Sequence, residues 1–135
     1  DDAIYACCRL IEIVAKNKQE NPNFKLTDLL EPFTKVFLSN EVRLKCPNEF
    51  KKEVLSILKT KVNDELFNSK IKEIITIDGL RIIFEDGFAL IRQSNTEPVF
   101  TLRFEAKTKE KCEQYKKALV DLTEALVEEC SSEKV

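Results

Sequence analysis

Two Asp-Gly dipeptides constrain the fold of this chain more than any other feature of its sequence. Asp78-Gly79 and Asp86-Gly87 separate three short runs rich in β-branched and aromatic residues, Glu73–Ile77, Leu80–Glu85 and Phe88–Ile91. Asp-Gly between apolar runs is typical of tight β-hairpins, because a type I′ turn requires positive φ at both central positions. The pattern predicts three consecutive antiparallel strands whose turns use both glycines of the chain.

Further elements complete an α+β fold around these strands. Val42, Leu44 and Cys46 alternate with basic residues, as in a half-buried strand. A helix follows, with Pro47 at its first position, Asn48 as its cap and apolar residues at helical spacing to Leu66. The predicted order is β-α-β-β-β-β-α, an antiparallel sheet with two helices on one face. The last elements are a strand Val99–Ala106 and a long helix capped by Thr108, and the polar sheet face carries Arg43, Lys45, Arg81, Arg103 and Glu105.

The first 38 residues are predicted to form a helical leader and linker before a domain of residues 39–135. Asp1 and Asp2 offer caps to an apolar helix that reaches about Lys16, and residues 17–23 are a polar linker containing proline. Thr27 is expected to cap a short helix that contains Pro32 near its first turn and extends to Phe37. Because the sequence begins in helix-like residues without Met, it is interpreted as a piece of a longer chain.

Composition excludes several classes of function. The 135 residues include no His, which excludes a Ser-His-Asp triad and a Cys2His2 zinc site. The net charge of −2 also lacks the excess of positive charge that is typical of nucleic-acid-binding proteins. No apolar run approaches the length of a membrane span, and no signal peptide is apparent, so we expect a cytoplasmic protein. The five cysteines contain no C-x-x-C pair and are interpreted as reduced structural thiols. Cys7, Cys46 and Cys112 lie on or beside apolar stripes, where a free cysteine is commonly buried.

The loop Arg92–Pro98 is the strongest candidate for a binding site. Three antiparallel strands return it to the sheet rim that carries Asp78-Gly79. Its guanidinium, hydroxyls and amides suit a phosphate dianion, and Pro98 restricts the backbone before it. Arg103 is expected to reach the loop or to pair with Glu97. Polar loops of this length are also common as solvated hairpin connections, so the residues alone leave both interpretations open.

The same residues resemble the C-terminal domain of the α-D-phosphohexomutases, the phosphomannomutase/phosphoglucomutase enzymes. The family pattern has two D-G turns, an R-x-S-[NG]-T-[EQT]-P loop and an R-x-E-[AG] strand ending, in the order and spacing found here. The matching segments are Asp78–Ile82, Asp86–Phe88, Arg92–Pro98 and Leu102–Ala106. Asn95 favours the phosphomannomutase/phosphoglucomutase branch, since phosphoglucosamine mutases usually have Gly at that position.

The resemblance implies a four-domain enzyme whose last domain has a TATA-binding-protein-like sheet. Residues 1–38 would then be the closing helix of the preceding domain with a linker. Such enzymes interconvert hexose 1-phosphate and 6-phosphate through a phosphoserine and a bisphosphorylated intermediate, with Mg²⁺ and a hexose bisphosphate activator. By similarity, the substrate phosphate contacts Arg92, Gln93, Ser94, Asn95 and Thr96, supported by Glu97, Pro98 and Arg103.

The resemblance also assigns the catalytic parts to other domains of the same polypeptide. No phosphoserine, metal-binding or sugar-reading segment of the family occurs in these residues, so this piece alone is predicted to be inactive. Its expected partners are a hexose phosphate and the remaining three domains, without nucleic acid or membrane. Two alternatives stay open: phosphoglucosamine specificity, and a non-enzymatic interaction domain that retains the fold.

Overall fold

A computed structural model describes residues 2–31, 33 and 35–132. The chain divides into two units at Lys35/Val36. The predicted cap Asp1 and the predicted first-turn residue Pro32 lie outside the described residues. The assignment of residues 1–38 to a preceding domain stays a prediction.

The first unit contains helix α1, Ala3–Glu20, and a 3₁₀ helix, Leu26–Leu30. Asp2 caps α1 as predicted, because its carboxylate accepts the Tyr5 backbone N–H at 2.8 Å. The expected end near Lys16 is wrong: the helix continues to Glu20 before Pro22, whose ring disfavours helical conformation in the residue before it. Thr27 lies inside the 3₁₀ helix, where the carboxylate of Asp28 instead accepts the Lys25 N–H at 2.8 Å.

Helix α1 has no buried residue. Its apolar side chains face outward, with Ile4 80%, Tyr5 64% and Ile11 67% exposed. Cys7 is also exposed, so the expectation that it is buried as part of an apolar stripe is wrong. Apolar residues lie on most sides of this helix. The local sequence pattern therefore does not indicate which face is covered by tertiary contacts.

The second unit contains the sheet and its covering helices. Its strands are β1 Phe37–Leu38, β2 Val42–Lys45, β3 Ile71–Ile75, β4 Leu80–Phe84, β5 Gly87–Gln93 and β6 Val99–Ala106. Its helices are α2 Lys51–Lys61, α3 Asp64–Phe67 and α4 Lys109–Ser132.

All strand pairs are antiparallel, in the order β1-β6-β5-β4-β3, and β2 also pairs with β6. Strand β1 was not predicted, since Phe37 was expected in a helix. Phe37 pairs with Ala106, and Leu44 pairs with Phe100 further along the same edge of β6. A two-residue strand has too little periodicity to be recognised, so only pairing with β6 identifies it.

Helices α2 and α4 cover one face of the sheet, as predicted. The core between them includes Ile82, Ile91, Phe100, Leu102 and Phe104 from the sheet and Val54, Leu58, Tyr115 and Leu119 from the helices, all 0% exposed. The other face carries the charged residues expected there, with Arg43, Arg81 and Arg103 exposed. The predicted α+β fold class is confirmed.

The predicted type I′ turns are wrong, although both hairpins exist. Positive φ is found at Gly79 (91°), whereas neither Gly87 nor any described Asp has it. Strand β3 ends at Ile75, so residues 76–79 form the first connection, and Glu85-Asp86 forms the second. Gly87 lies within β5, where an added Cβ would come within 1.9 Å of the Glu105 carbonyl oxygen. Close approach of two backbones, rather than turn geometry, requires glycine there.

The helix predicted from Pro47 to Leu66 is two helices. Helix α2 begins after Phe50 without a side-chain cap, so Asn48 does not have the predicted role. The chain is extended at Val62, and Asn63 then caps α3 by accepting the Leu66 N–H at 2.8 Å. A second cap interrupts the helical period because it offers the backbone an alternative partner. Thr108 caps α4 as predicted, accepting the Lys111 N–H at 3.2 Å.

Candidate functional site

The candidate site lies where β5 ends and β6 begins. Strand β5 extends to Gln93, so Arg92 and Gln93 are strand residues and Ser94–Pro98 form the connecting loop. Arg92 pairs with Thr101 across the hairpin, which fixes the loop between two hydrogen-bonded strands. Rigid strands on both sides limit the conformations of a short loop and preorganise its polar groups.

The loop and the connection 76–79 share one rim of the sheet, as the topology predicted. The Arg92 guanidinium forms an ion pair with the Asp78 carboxylate. Gly79 lies so close to β5 that an added Cβ would be 2.2 Å from the Ile91 carbonyl oxygen. The close contact between the two hairpin ends therefore restricts the backbone of Arg92.

Ser94 shapes the loop with its own side chain. Its hydroxyl oxygen accepts the Glu97 backbone N–H at 3.1 Å and the Thr96 N–H at 3.4 Å, and it lies 3.5 Å from the Thr96 hydroxyl. The Ser94 N–H donates to the Val99 carbonyl at 3.0 Å. A hydroxyl that accepts these bonds still has a proton to donate. Ser94 therefore combines a structural role with a possible donor at the rim.

Lys51 supports the loop from beneath and was missed by sequence reasoning. It is the first residue of α2 and is 3% exposed, and its ammonium donates to the carbonyl oxygens of Ser94 at 2.7 Å and Glu97 at 2.5 Å. The available signal was position: Lys51 lies four residues before Leu55 and seven before Leu58, on the face of α2 that contacts the core.

The predicted interaction between Arg103 and Glu97 is absent from the described ion pairs. Glu97 pairs with Arg43 of β2, and the nearest carboxylate oxygen to the Arg103 guanidinium belongs to Glu41, at 3.8 Å. Both pairs are about half exposed, so each contributes at most about 1 kcal/mol. Pairing between strands determines these partners, since Arg43 and Arg92 both align with Thr101 from opposite sides of β6.

Three guanidinium groups consequently lie on the polar face near the loop. Cross-strand partners project to the same face, so Arg43 and Arg92 share the face of Thr101. Arg103 lies two residues beyond Thr101 on β6 and projects to that face too. The exposed residues Asn95 and Thr96 extend from the loop at the rim of this face. The arrangement provides guanidinium and neutral hydrogen-bond donors, which suit an anionic ligand. Each guanidinium is also paired with an exposed carboxylate, that of Asp78, Glu97 or Glu41.

The described residues hold no group of three or more Cys, Asp or Glu side chains that could bind a metal ion. The described part of the chain also has no helix that is both long and apolar enough to cross a membrane. The Mg²⁺ that the resemblance implies for the full-length enzyme therefore finds no such group of ligands among these described residues.

Comparison with known proteins assigns these features to one family. The family model described as "Phosphoglucomutase/phosphomannomutase, C-terminal domain" matches residues 41–122. A phosphoglucomutase of Neisseria meningitidis serogroup B is 39% identical over 84% of this chain and 23% of its own length. A phosphomannomutase/phosphoglucomutase of Pseudomonas syringae pv. tomato is 36% identical over 84% of this chain and 22% of its own length.

Two further relatives extend the comparison. A probable phosphoglucosamine mutase of Methanosphaera stadtmanae is 36% identical over 81% of this chain. The crystal structure of a phosphoglucomutase/phosphomannomutase family protein from Burkholderia thailandensis has a TM-score of 0.70 and 29% identity, covering 93% of this chain and 24% of that one. The chain thus spans about a quarter of the length of the relatives it matches.

Proposed function

The chain belongs to the phosphoglucomutase/phosphomannomutase family, as the C-terminal domain of such a mutase, and we propose that residues 92–98 bind the phosphate group of a hexose phosphate. One observation carries the proposal: Arg92, Ser94, Asn95 and Thr96 lie together at one sheet rim, on a loop held by strands β5 and β6. Lys51 fixes the same loop from below.

The chemistry of each group supports this ligand. The Arg92 guanidinium is suited to engage two phosphate oxygens in a bidentate arrangement. The Ser94 and Thr96 hydroxyls and the Asn95 amide supply neutral donors with adjustable direction. Arg103 lies on the same face and adds positive charge, while the pairing of Glu97 with Arg43 reduces the repulsion between Glu97 and an anion. Gln93 contributes backbone at the end of β5.

A mutase that works through a bisphosphorylated hexose has a specific use for such a loop. One phosphate must face the serine that gives and takes the phosphoryl group, while the other phosphate is held in place. When the intermediate turns around, the two phosphates exchange positions. A loop that recognises phosphate geometry and little of the sugar accepts both orientations. In this proposal the serine, the Mg²⁺ and the residues that recognise the sugar belong to the other domains of the polypeptide.

Two alternatives differ in their structural support. Relatives named as probable phosphoglucosamine mutases support the same phosphate-binding role with another sugar. A non-enzymatic interaction domain would rely on α1, whose apolar residues Ile4 and Ile11 are exposed. The same exposure supports the prediction that residues 1–38 are the closing helix of a preceding mutase domain with a linker, because such a helix would be covered by the rest of that domain. Phosphate binding by the loop separates the enzymatic alternatives from the interaction domain.

The test is a two-dimensional amide NMR titration of the 135-residue chain with glucose 1-phosphate, with glucose as the control ligand. One phosphate loop supplies roughly 4 kcal/mol, so we expect a dissociation constant on the order of mM. Shifts confined to residues 92–96 and Arg103, and absent with glucose, support the proposal. A loop that does not respond to glucose 1-phosphate at tens of mM contradicts it.

Catalysis is tested separately. The chain alone should not interconvert glucose 1-phosphate and glucose 6-phosphate, whereas a polypeptide that also contains the other family domains should. Measurable turnover by the 135-residue chain would contradict the assignment of the catalytic groups to other domains.

A further inference from the structure

Lys51 combines three properties that local helix energetics do not explain. Among the described residues, Lys51 is the only charged side chain that is buried, at 3% exposure, and it occupies the first position of α2. A positive charge in the first turn opposes the helix dipole, and an ammonium loses hydration when it is buried. The side chain nevertheless extends to the loop, where Ser94 and Glu97 provide its two acceptors.

The two acceptors are main-chain carbonyls at both ends of the tip of the loop. Ser94 precedes Asn95 and Thr96, and Glu97 follows them. Charge-assisted hydrogen bonds are roughly twice as strong as neutral ones, so Lys51 fixes the direction of both carbonyls. With these carbonyls drawn toward α2, two groups that would repel a phosphate are turned away from the rim.

The remaining hydrogen bonds of the loop also leave its acceptors on one side and its donors on the other. The Ser94 hydroxyl organises the N–H groups of Thr96 and Glu97, while Asn95 and Thr96 stay exposed at the tip. One side of the loop therefore carries acceptors that are bound to an ammonium, and the other carries side-chain donors. The Lys51 ammonium is buried against the loop, where salt screens its charge less than an exposed charge.

We propose that Lys51 is a positioning residue for phosphate recognition: it holds the carbonyls of Ser94 and Glu97 away from the ligand and places a fixed positive charge under the loop. This inference rests on the proposed function of the loop. It assigns a role to a residue outside the R-x-S-N-T-x-P segment, on a different secondary-structure element.

The test compares Lys51→Met with Lys52→Met in the 135-residue chain. Lys52 is the next residue of α2 and is exposed, so its replacement removes the same charge without touching the loop. For Lys51→Met we expect amide hydrogen exchange at Glu97 and Val99 to accelerate at least about tenfold without ligand, and the dissociation constant for glucose 1-phosphate to rise about tenfold. Lys52→Met should match the wild type in both measurements.

A third measurement separates positioning from general support of the fold. Phosphate esters gain their second negative charge with a pKa near 6, so the ratio of affinities at about pH 8 and about pH 5 reports the preference for the dianion. Lys51→Gln keeps an N–H₂ donor group but removes the positive charge. We expect it to retain part of the exchange protection and to lose dianion preference relative to Lys52→Met. Lys51→Arg, which keeps the charge, should retain that preference.

Each outcome bears on the proposal. If the wild type binds and Lys51→Met binds equally well with unchanged loop exchange, the role of Lys51 is wrong while the proposed function stands. If the wild type does not respond to glucose 1-phosphate, both fall together. If circular dichroism shows that Lys51→Met does not fold, the comparison of dianion preference between Lys51→Gln and Lys51→Arg decides. Equal dianion preference in those two variants would overturn the proposal.

Discussion

The guanidinium of Arg92 and the carboxylate of Asp78 form an ion pair that joins two neighbouring hairpins at one rim of the sheet. The residues are 14 positions apart in the sequence, and the meander of β3, β4 and β5 brings them together. The side chains of Arg92 and Asp78 are 54% and 59% exposed. The pair therefore contributes little stability, at most about 1 kcal/mol. Its consequence is functional: a phosphate that binds Arg92 must share it with, or take it from, Asp78.

Asp78→Asn should tighten the binding of glucose 1-phosphate. The change removes a negative charge beside the ligand and releases Arg92 from an exposed ion pair worth at most about 1 kcal/mol, which corresponds to a gain of up to about fivefold. An NMR or calorimetric titration measures it. Glu85→Gln is the control, since Glu85 forms a similar exposed pair with Lys72 at the other rim. Weaker binding by Asp78→Asn would show that orientation of Arg92 outweighs repulsion.

Arg92→Ala should severely reduce the activity of a complete mutase that contains this domain. Loss of a charged donor to a transition state usually costs about 2–4 kcal/mol, so kcat/KM should fall between about thirtyfold and about a thousandfold. Steady-state kinetics with glucose 1-phosphate provides the measurement. Lys72→Ala removes the same charge at the opposite rim and should be nearly neutral. Kinetics close to wild type in Arg92→Ala would remove the central assignment of the site.

Gly79→Ala should destabilise the chain and also disturb the candidate site. Gly79 has φ of 91°, and its added Cβ would meet the Ile91 carbonyl oxygen at 2.2 Å, next to Arg92. We expect a loss of at least about 2 kcal/mol in the free energy of unfolding, measured in urea. Gly87→Ala has a comparable clash at the far end of β5, with the Glu105 carbonyl. It should lower stability while leaving the amide shifts of residues 92–96 near those of the wild type.

Tyr115 should make stability fall at high pH. Burial, followed by the hydrogen bond to Asp86, raises its pKa from 10.0 to about 12. The folded chain therefore keeps the phenolic proton between these values, where the unfolded chain loses it. This stabilisation is complete below about pH 10 and disappears as the pH rises through about 12. Urea unfolding of wild type across this range measures it.

Tyr115→Phe isolates that hydroxyl. The ring remains stacked on Phe84, while the hydrogen bonds to Asp86 and to Ser69 at 3.1 Å are lost. We expect a cost of about 1–2 kcal/mol at neutral pH. The decline in stability between about pH 10 and about 12 should be shallower than in wild type. Tyr5→Phe, at a residue 64% exposed, is the control. An unchanged decline in Tyr115→Phe would exclude Tyr115 as its source.

The free thiols should react in two classes. Cys7 and Cys8 are exposed, whereas Cys46 and Cys112 are buried, and burial raises the pKa of the latter two thiols. Because the thiolate is the reactive form, an aromatic disulfide reagent at about pH 8 should modify Cys7 and Cys8 much faster. Peptide mass spectrometry identifies the sites. In denaturant the rates should become similar. Rapid modification of Cys46 in the folded chain would contradict its placement in the core.

Sequence pattern predicted the elements whose periodicity is long or whose ends carry a chemical signal. Strand β6 matches its predicted range Val99–Ala106, because eight residues alternate between core and solvent. The cap of α4 at Thr108 was also predicted correctly, since a hydroxyl before a helical stripe has a local function. The shared rim of Asp78 and Arg92 followed from the number of strand reversals alone.

Local pattern failed where an interaction with a distant residue decides the structure. Phe37-Leu38 is a strand because β6 offers an edge, and Gly87 is required because β6 approaches it closely. The partner of Glu97 is Arg43 rather than Arg103, since β2 lies beside β6 and brings another guanidinium to the loop.

The sequence by itself determined the antiparallel meander, the two covering helices and the polar loop at one rim, because periodicity and turn residues act over a few neighbouring positions. Only the tertiary structure decided what holds that loop. Lys51 is 43 residues from Ser94 along the chain. Helical spacing places Lys51 on the core-facing side of α2, but no neighbouring residue indicates that its ammonium binds two carbonyls of the loop. That contact exists because α2 packs on the sheet, where an ammonium removed from water requires acceptors and the loop provides them.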